Sequence, residues 1–144
     1  MSIKGMLGIA GFTVTLLAQA VFAGNAELRY IRMGEHSDYT RLVFEFSQLP
    51  TYEDPVVPEE GKVSMVFSDT STVLPTEIPG ETTKRIESLK FLQQGRRLIA
   101  DLRVSFPRPK LTIFSLSDPP RIVLDIRPVD LRAEDVPEDL LSDN

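Results

Sequence analysis

From residue 26 onward, apolar and polar positions alternate with a period of two. That is the spacing of a strand with one buried and one solvated face. In TRLVFEFS (40–47), Leu42, Phe44 and Phe46 fall on one side, and Arg41, Val43 and Glu45 on the other. The same spacing predicts strands at AELRYIRM (26–33), KVSMVFSD (62–69), RIESLKFL (85–92), RRLIADLRV (96–104), KLTIFSL (110–116) and RIVLDIRP (121–128). Turn residues bound each one: Gly34 to Ser37, Pro50, Gly61, Gly95, Pro107 with Pro109, and Asp118-Pro119-Pro120. Short strands at this spacing predict a sandwich or small barrel. No segment holds helical periodicity over a useful length, and only short helical turns near 131–141 or within 48–60 fit the composition. Residues 48–61 and 70–84 are rich in proline and poor in pattern, and 70–84 reads as a joint between two halves.

Those halves repeat. RLVFEF (41–46) returns as RLIADL (97–102) and as RIVLDI (121–126). Arg41 aligns with Arg97, Leu42 with Leu98, Val43 with Ile99, Glu45 with Asp101 and Phe46 with Leu102. In the later strands Val63 aligns with Ile122, Met65 with Leu124 and Phe67 with Ile126. Neither half buries its apolar face alone, whereas two halves packed face to face make one core. The expectation is an all-β domain of two packed antiparallel sheets with an approximate internal two-fold repeat, β-sandwich-like in form.

The first 23 residues belong to a different pattern. Lys4 precedes an apolar run from Met6 to Leu17, and small residues follow at Ala18-Gln19-Ala20 and Val21-Phe22-Ala23. This reads as a secretory signal peptide over 1–23, cut after Ala23, with Ala20 as the second candidate. The rival is a retained anchor, because residues 6–23 carry no charge and approach spanning length. After cleavage no span is expected. The chain of 144 residues has 16 bases against 21 acids, net −5, and cleavage removes one further base. An acidic domain is a poor partner for nucleic acid, which draws most of its affinity from basic charge. With no cysteine, disulfides, thiolate metal sites and a cysteine nucleophile are excluded. Residues 131–144 are acid-rich, and are expected to form a mobile tail because little apolar area is present to order them.

A short alternating strand, then Ile31-Arg32-Met33-Gly34-Glu35-His36, then Thr40 to Phe46, with Pro120 to Ile126 closing the chain's pattern, resembles the AMIN domain family. The resemblance covers about residues 26–128, within a domain placed at 24–130. This family supplies the non-catalytic N-terminal module of periplasmic N-acetylmuramoyl-L-alanine amidases and of type IV pilus secretins. The resemblance implies two symmetric β-sheets, a periplasmic location and targeting to the cell envelope by binding peptidoglycan, through its glycan or stem peptide. The alternative is a protein-interaction module of a secretin, pilus or division complex. Family members often continue into an amidase or secretin domain, whereas this chain ends in its acidic stretch, as a stand-alone domain or a truncated gene. The family's amidase needs zinc held by His and Glu, and this chain has one His, too few for such a site.

Candidate chemistry is correspondingly sparse. His36 lacks a second His or Cys to share a metal and a placed nucleophile to activate, so it reads as a surface turn residue. No G-x-S-x-G or phosphate loop occurs. No catalytic residue, metal or cofactor is expected. Arg41, Arg97 and Arg121 each open a strand, with Glu45, Asp101 and Asp125 four places on, on the same face. Cross-strand ion pairing is the structural explanation, since the first position of one antiparallel strand can lie near the fifth of the next. The functional explanation is a polar platform for glycan hydroxyls and carboxylates, with Arg as bidentate donor. The residues assigned to ligand binding are Arg41, Tyr39, Arg97 and Arg121. Tyr30 is placed in the core beside Leu28.

Overall fold

The computed structural model describes residues 25–79 and 83–129. The expected signal peptide (1–23) and acidic tail (131–144) lie outside them. Ten strands run in chain order: β1 (Ala26–Glu35), β2 (Thr40–Phe46), β3 (Thr51–Tyr52), β4 (Lys62–Ser68), β5 (Thr70–Thr72), β6 (Glu77–Pro79), β7 (Ile86–Gln94), β8 (Arg97–Val104), β9 (Pro109–Ser117) and β10 (Pro120–Pro128). No helix among the described residues is long and apolar enough to cross a membrane. Seven of these strands sit where alternation places them. The other three, β3, β5 and β6, are only two or three residues long, too short to show a period. β5 and β6 lie in the stretch read as a joint, and each adds an edge to a different sheet.

The first sheet runs β5-β1-β2-β10-β9 and the second β3-β4-β8-β7-β6. Each sheet therefore draws on both halves of the sequence. The hairpin β1–β2 is completed by β10 and β9, and the hairpin β7–β8 by β4 and β3. A two-fold exchange relates β1 to β7, β2 to β8, β10 to β4 and β9 to β3. The halves do not form one sheet each; they trade strands, which ties both to a single core.

The register corrects the sequence alignment of the repeat. Met65 lies opposite Ala100 and Phe67 opposite Leu98, while Ile122 lies opposite Phe44 and Leu124 opposite Leu42. Ala100 and Phe44 hold the same place in the repeat, so Met65 corresponds to Ile122 and Phe67 to Leu124. The aligned pairs Val63–Ile122 and Met65–Leu124 are one pleat out. A shift of two residues keeps every side chain on its own face, so the apolar pattern alone cannot detect it.

Leu28, Leu42, Phe44, Phe46, Ile122, Leu124 and Ile126 from the first sheet meet Val63, Met65, Phe67, Leu89, Leu98 and Leu102 from the second, all buried. The Phe67 ring stands edge-on to Phe44 and Phe46, with centroids 5.4 and 5.2 Å apart, a favoured aromatic geometry. Tyr30 is not part of this core and is 63% exposed. Leu28 pairs with Phe46 but Tyr30 pairs with Glu45, so one extra residue bulges from β1 between them. The bulge reverses the alternation, turning Ile31 and Met33 inward and Tyr30 outward.

Phe67→Ala is expected to cost about 3–5 kcal/mol, and Tyr30→Ala under about 0.5 kcal/mol, as for an exposed side chain. Urea unfolding of both variants checks the two assignments; equal losses contradict the bulge.

Candidate functional site

The outward face of β2, β10 and β9 carries the densest constellation of charged and aromatic groups. Its rows follow from register. Arg41 lies opposite Asp125, and Asp125 opposite Thr112; Val43 meets Val123, which meets Phe114; Glu45 meets Arg121, which meets Leu116. Arg41 Nε donates to Asp125 Oδ1 at 2.8 Å, and its Nη2 to Oδ2 at 2.9 Å. This is a two-pronged pair between the first position of one repeat strand and the fifth of the other. The Asp125 side chain is 7% exposed and that of Arg41 38%. The hydrogen bond to Asp125 pushes the Arg41 guanidinium above its ordinary value.

Aromatic rings frame this pair. The Arg41 guanidinium carbon lies 5.5 Å from the ring centres of both Tyr39 and Phe114. Arg127, exposed at the end of β10, lies 5.2 Å from the Tyr39 ring. His36 stacks on Tyr39 at 4.4 Å and 12°. Tyr39 is thus in contact with one ring and two guanidinium groups, within cation–π range. Among the described residues Arg127 has no acidic partner, so its donors face solvent.

The loop that presents Tyr39 and His36 is held from outside the sheet. Arg85, just before β7, donates through Nη1 to the His36 carbonyl at 2.9 Å and through Nη2 to the Ser37 carbonyl at 2.8 Å. The Lys84 backbone N–H donates to Glu35 Oε1 at 3.0 Å. The His36 N–H closes the turn on the Tyr39 carbonyl at 2.8 Å. These bonds satisfy loop carbonyls that would otherwise depend on water, and they fix where the Tyr39 ring stands.

The four residues assigned from sequence therefore separate. Tyr39 and Arg41 touch, and Arg121 shares their face further along. Arg121, however, turns its Nε to the Pro119 carbonyl at 3.1 Å, while Glu45 takes Arg32 at 3.6 Å. Arg97 belongs to the other sheet, apart from Tyr39 and Arg41. The residues across from it explain its different surroundings. Continuing the β4–β8 register, the residue opposite Arg97 is Ser68, where Arg41 meets Asp125. Likewise Asp101 faces Ser64, where Glu45 faces Arg121. Phe114, Arg127 and Arg85 were not legible as site residues. The signal available was weak: an Arg six places after Arg121, and an aromatic in an edge strand.

The second sheet's outer face has its own open cleft of about 250 Å³, walled by Lys62, Lys90, Asp101 and Arg103. Lys62 is paired with Glu59, whose carboxyl it holds below the usual range chiefly by hydrogen bonding. A third surface, near Asp69 and Arg96, encloses about 210 Å³. There the Gln93 side-chain amide donates to the carbonyls of Thr70, Gly95 and Arg97, which accounts for it as structure. No group of three or more metal-ligating side chains occurs among the described residues.

Arg41→Ala leaves Asp125 buried without its cation and is expected to cost about 3 kcal/mol. Asp125→Asn leaves a half-exposed guanidinium that water can solvate, and is expected to cost about 1 kcal/mol. Arg41→Lys falls between them, keeping the charge but losing the fork. Denaturant midpoints of the three variants give the order directly.

A scan against protein-family models and a search of curated proteins both find no match to this chain.

Proposed function

We propose that the domain is a non-catalytic binding module of the cell envelope, acting in the periplasm, and that it takes peptidoglycan on the outward face of β2, β10 and β9. One observation carries this: Arg127, exposed and free of acidic partners among the described residues, stands 5.2 Å from the Tyr39 ring. The Arg127 guanidinium matches a carboxylate with two parallel N–H donors, and the Tyr39 hydroxyl beside it matches a sugar hydroxyl as hydrogen-bond partner. Peptidoglycan supplies both groups, as glycan and as muramyl or stem-peptide carboxylate. Arg41 also lies against the ring, already committed to Asp125. The resemblance of residues 26–128 to the AMIN family points the same way, as does the signal-like N-terminus, whose residues lie outside the described ones. No chemistry of its own is assigned to the domain.

A second class of function, docking within an envelope protein complex, is favoured by a specific feature: β9 is a long edge strand with no neighbour on one side among the described residues. Strand addition at such an edge is a recurring mode of peptide recognition.

Co-sedimentation of the mature chain with purified sacculi tests the proposal. The chain is expected in the pellet at low salt and less so at high salt, because an exposed cation is screened. Arg127→Ala and Tyr39→Phe are each expected to weaken binding about tenfold, roughly 1.4 kcal/mol, with little change in melting temperature. A chain that stays in the supernatant at both low and moderate salt sinks the peptidoglycan assignment and leaves the docking one.

A further inference from the structure

We propose that β9 is a self-association edge. Two copies pair antiparallel through it, with Ile113 on the two-fold axis, joining two five-stranded sheets into one of ten strands. This is independent of what the outward face binds.

β9 spans nine residues and pairs with β10 along its whole length, from Pro120↔Ser117 to Pro128↔Pro109, with no bulge. Its other side has no neighbour among the described residues. At the other sheet edges, β3, β5 and β6 are two or three residues long, and the stretch of β1 beyond β5 carries a bulge and the charges Arg29, Arg32 and Glu35. Proteins usually protect a long edge with charge, proline or a bulge. From Leu111 to Ser117 β9 carries none of these. Every second residue of that edge points its N–H and C=O away from β10. On the core side, Leu111 and Ile113 are only half-buried, at a rim that a further strand would close. On the outward side Leu116 is 40% exposed.

Symmetry and charge select a second copy as the occupant. Centred on Ile113, antiparallel pairing sets Thr112 against Phe114 of the other copy, Lys110 against Leu116, and Leu111 against Ser115. No like charges meet. One step past each end, Arg108 faces Asp118. Both are exposed, and neither has an ion-pair partner among the described residues. The two-fold forms this opposite-charge contact twice. A foreign strand has no reason to place an acid opposite Arg108 and a base opposite Asp118 at this spacing. The pairing also explains how an acidic chain, net −5, could meet itself: the contact is uncharged in the middle and complementary at its ends.

Two experiments on the mature chain test the proposal. In sedimentation equilibrium the chain is expected to dimerise reversibly. Arg108→Asp and Asp118→Arg are each expected to weaken the dimer about tenfold, and the double reversal to restore it. Because the chain has no cysteine, a single Ile113→Cys substitution reports register. It is expected to give a disulfide-linked dimer on mild oxidation, whereas Ser115→Cys, opposite Leu111, is expected to stay uncrosslinked. A chain that is monomeric at concentrations on the order of 1 mM overturns the proposal. So do single and double charge reversals that behave alike, or Ile113→Cys and Ser115→Cys variants that crosslink equally.

Discussion

The contact of Phe67 with Phe44 and Phe46 is the point on which both sheets depend. These rings sit on the strands next to the exchange, β4 in one sheet and β2 in the other. A hairpin alone is marginal in water, and each repeat supplies only a hairpin and a third strand that leaves for the opposite sheet. Burying the apolar face of β2 therefore requires β4 from across the core and β10 from the far end of the chain. One apolar cluster serves two half-sequences, and neither has a second place to put its Leu, Ile and Phe side chains.

The outer faces follow from the same exchange. Because β10 returns beside β2, the two charged positions of each strand fall opposite those of the other in reverse order, giving Arg41–Asp125 its geometry. In the other sheet Ser68 stands where Asp125 was and Ser64 where Arg121 was. A repeated sequence has thus produced two different surfaces. One has a paired, ring-framed Arg and a second Arg with no acidic partner among the described residues; the other has an open polar cleft. Of the Arg residues that open strands, Arg41 is committed to Asp125, while that second Arg, Arg127, stands at the far end of β10.

Period-two alternation locates a strand wherever one face is buried and the strand is long, which is why β1, β2, β4, β7, β8, β9 and β10 were legible. β3, β5 and β6 hold two or three residues and have no period to read. Tyr30 was misplaced because a bulge costs one residue and leaves no mark in composition: Arg29 and Tyr30 are ordinary strand residues whether they point in or out. The alignment of the later strands was misjudged by two residues because a whole pleat is invisible to an inside–outside pattern. The site was legible only where the repeat marked it, at Arg41, and where it adjoined a turn, at Tyr39. Arg127, Phe114 and Arg85 depend on which strands become neighbours, and Arg85 reaches across 48 and 49 residues to the loop it holds.

The return of β10 to β2 also orders events in time. Arg41 and Asp125 are 84 residues apart, so a chain made from its N-terminus presents β2 on the order of 10 s before its partner strand exists. During that interval the β1–β2 hairpin has an unfilled edge, whereas β4, whose Phe67 packs on Phe44 and Phe46, is made well before β10. Local contacts cannot fill that edge, because the strand that pairs there lies far later in the sequence. Folding is then governed by completion of the chain rather than by its early segments, as expected where non-local pairing dominates.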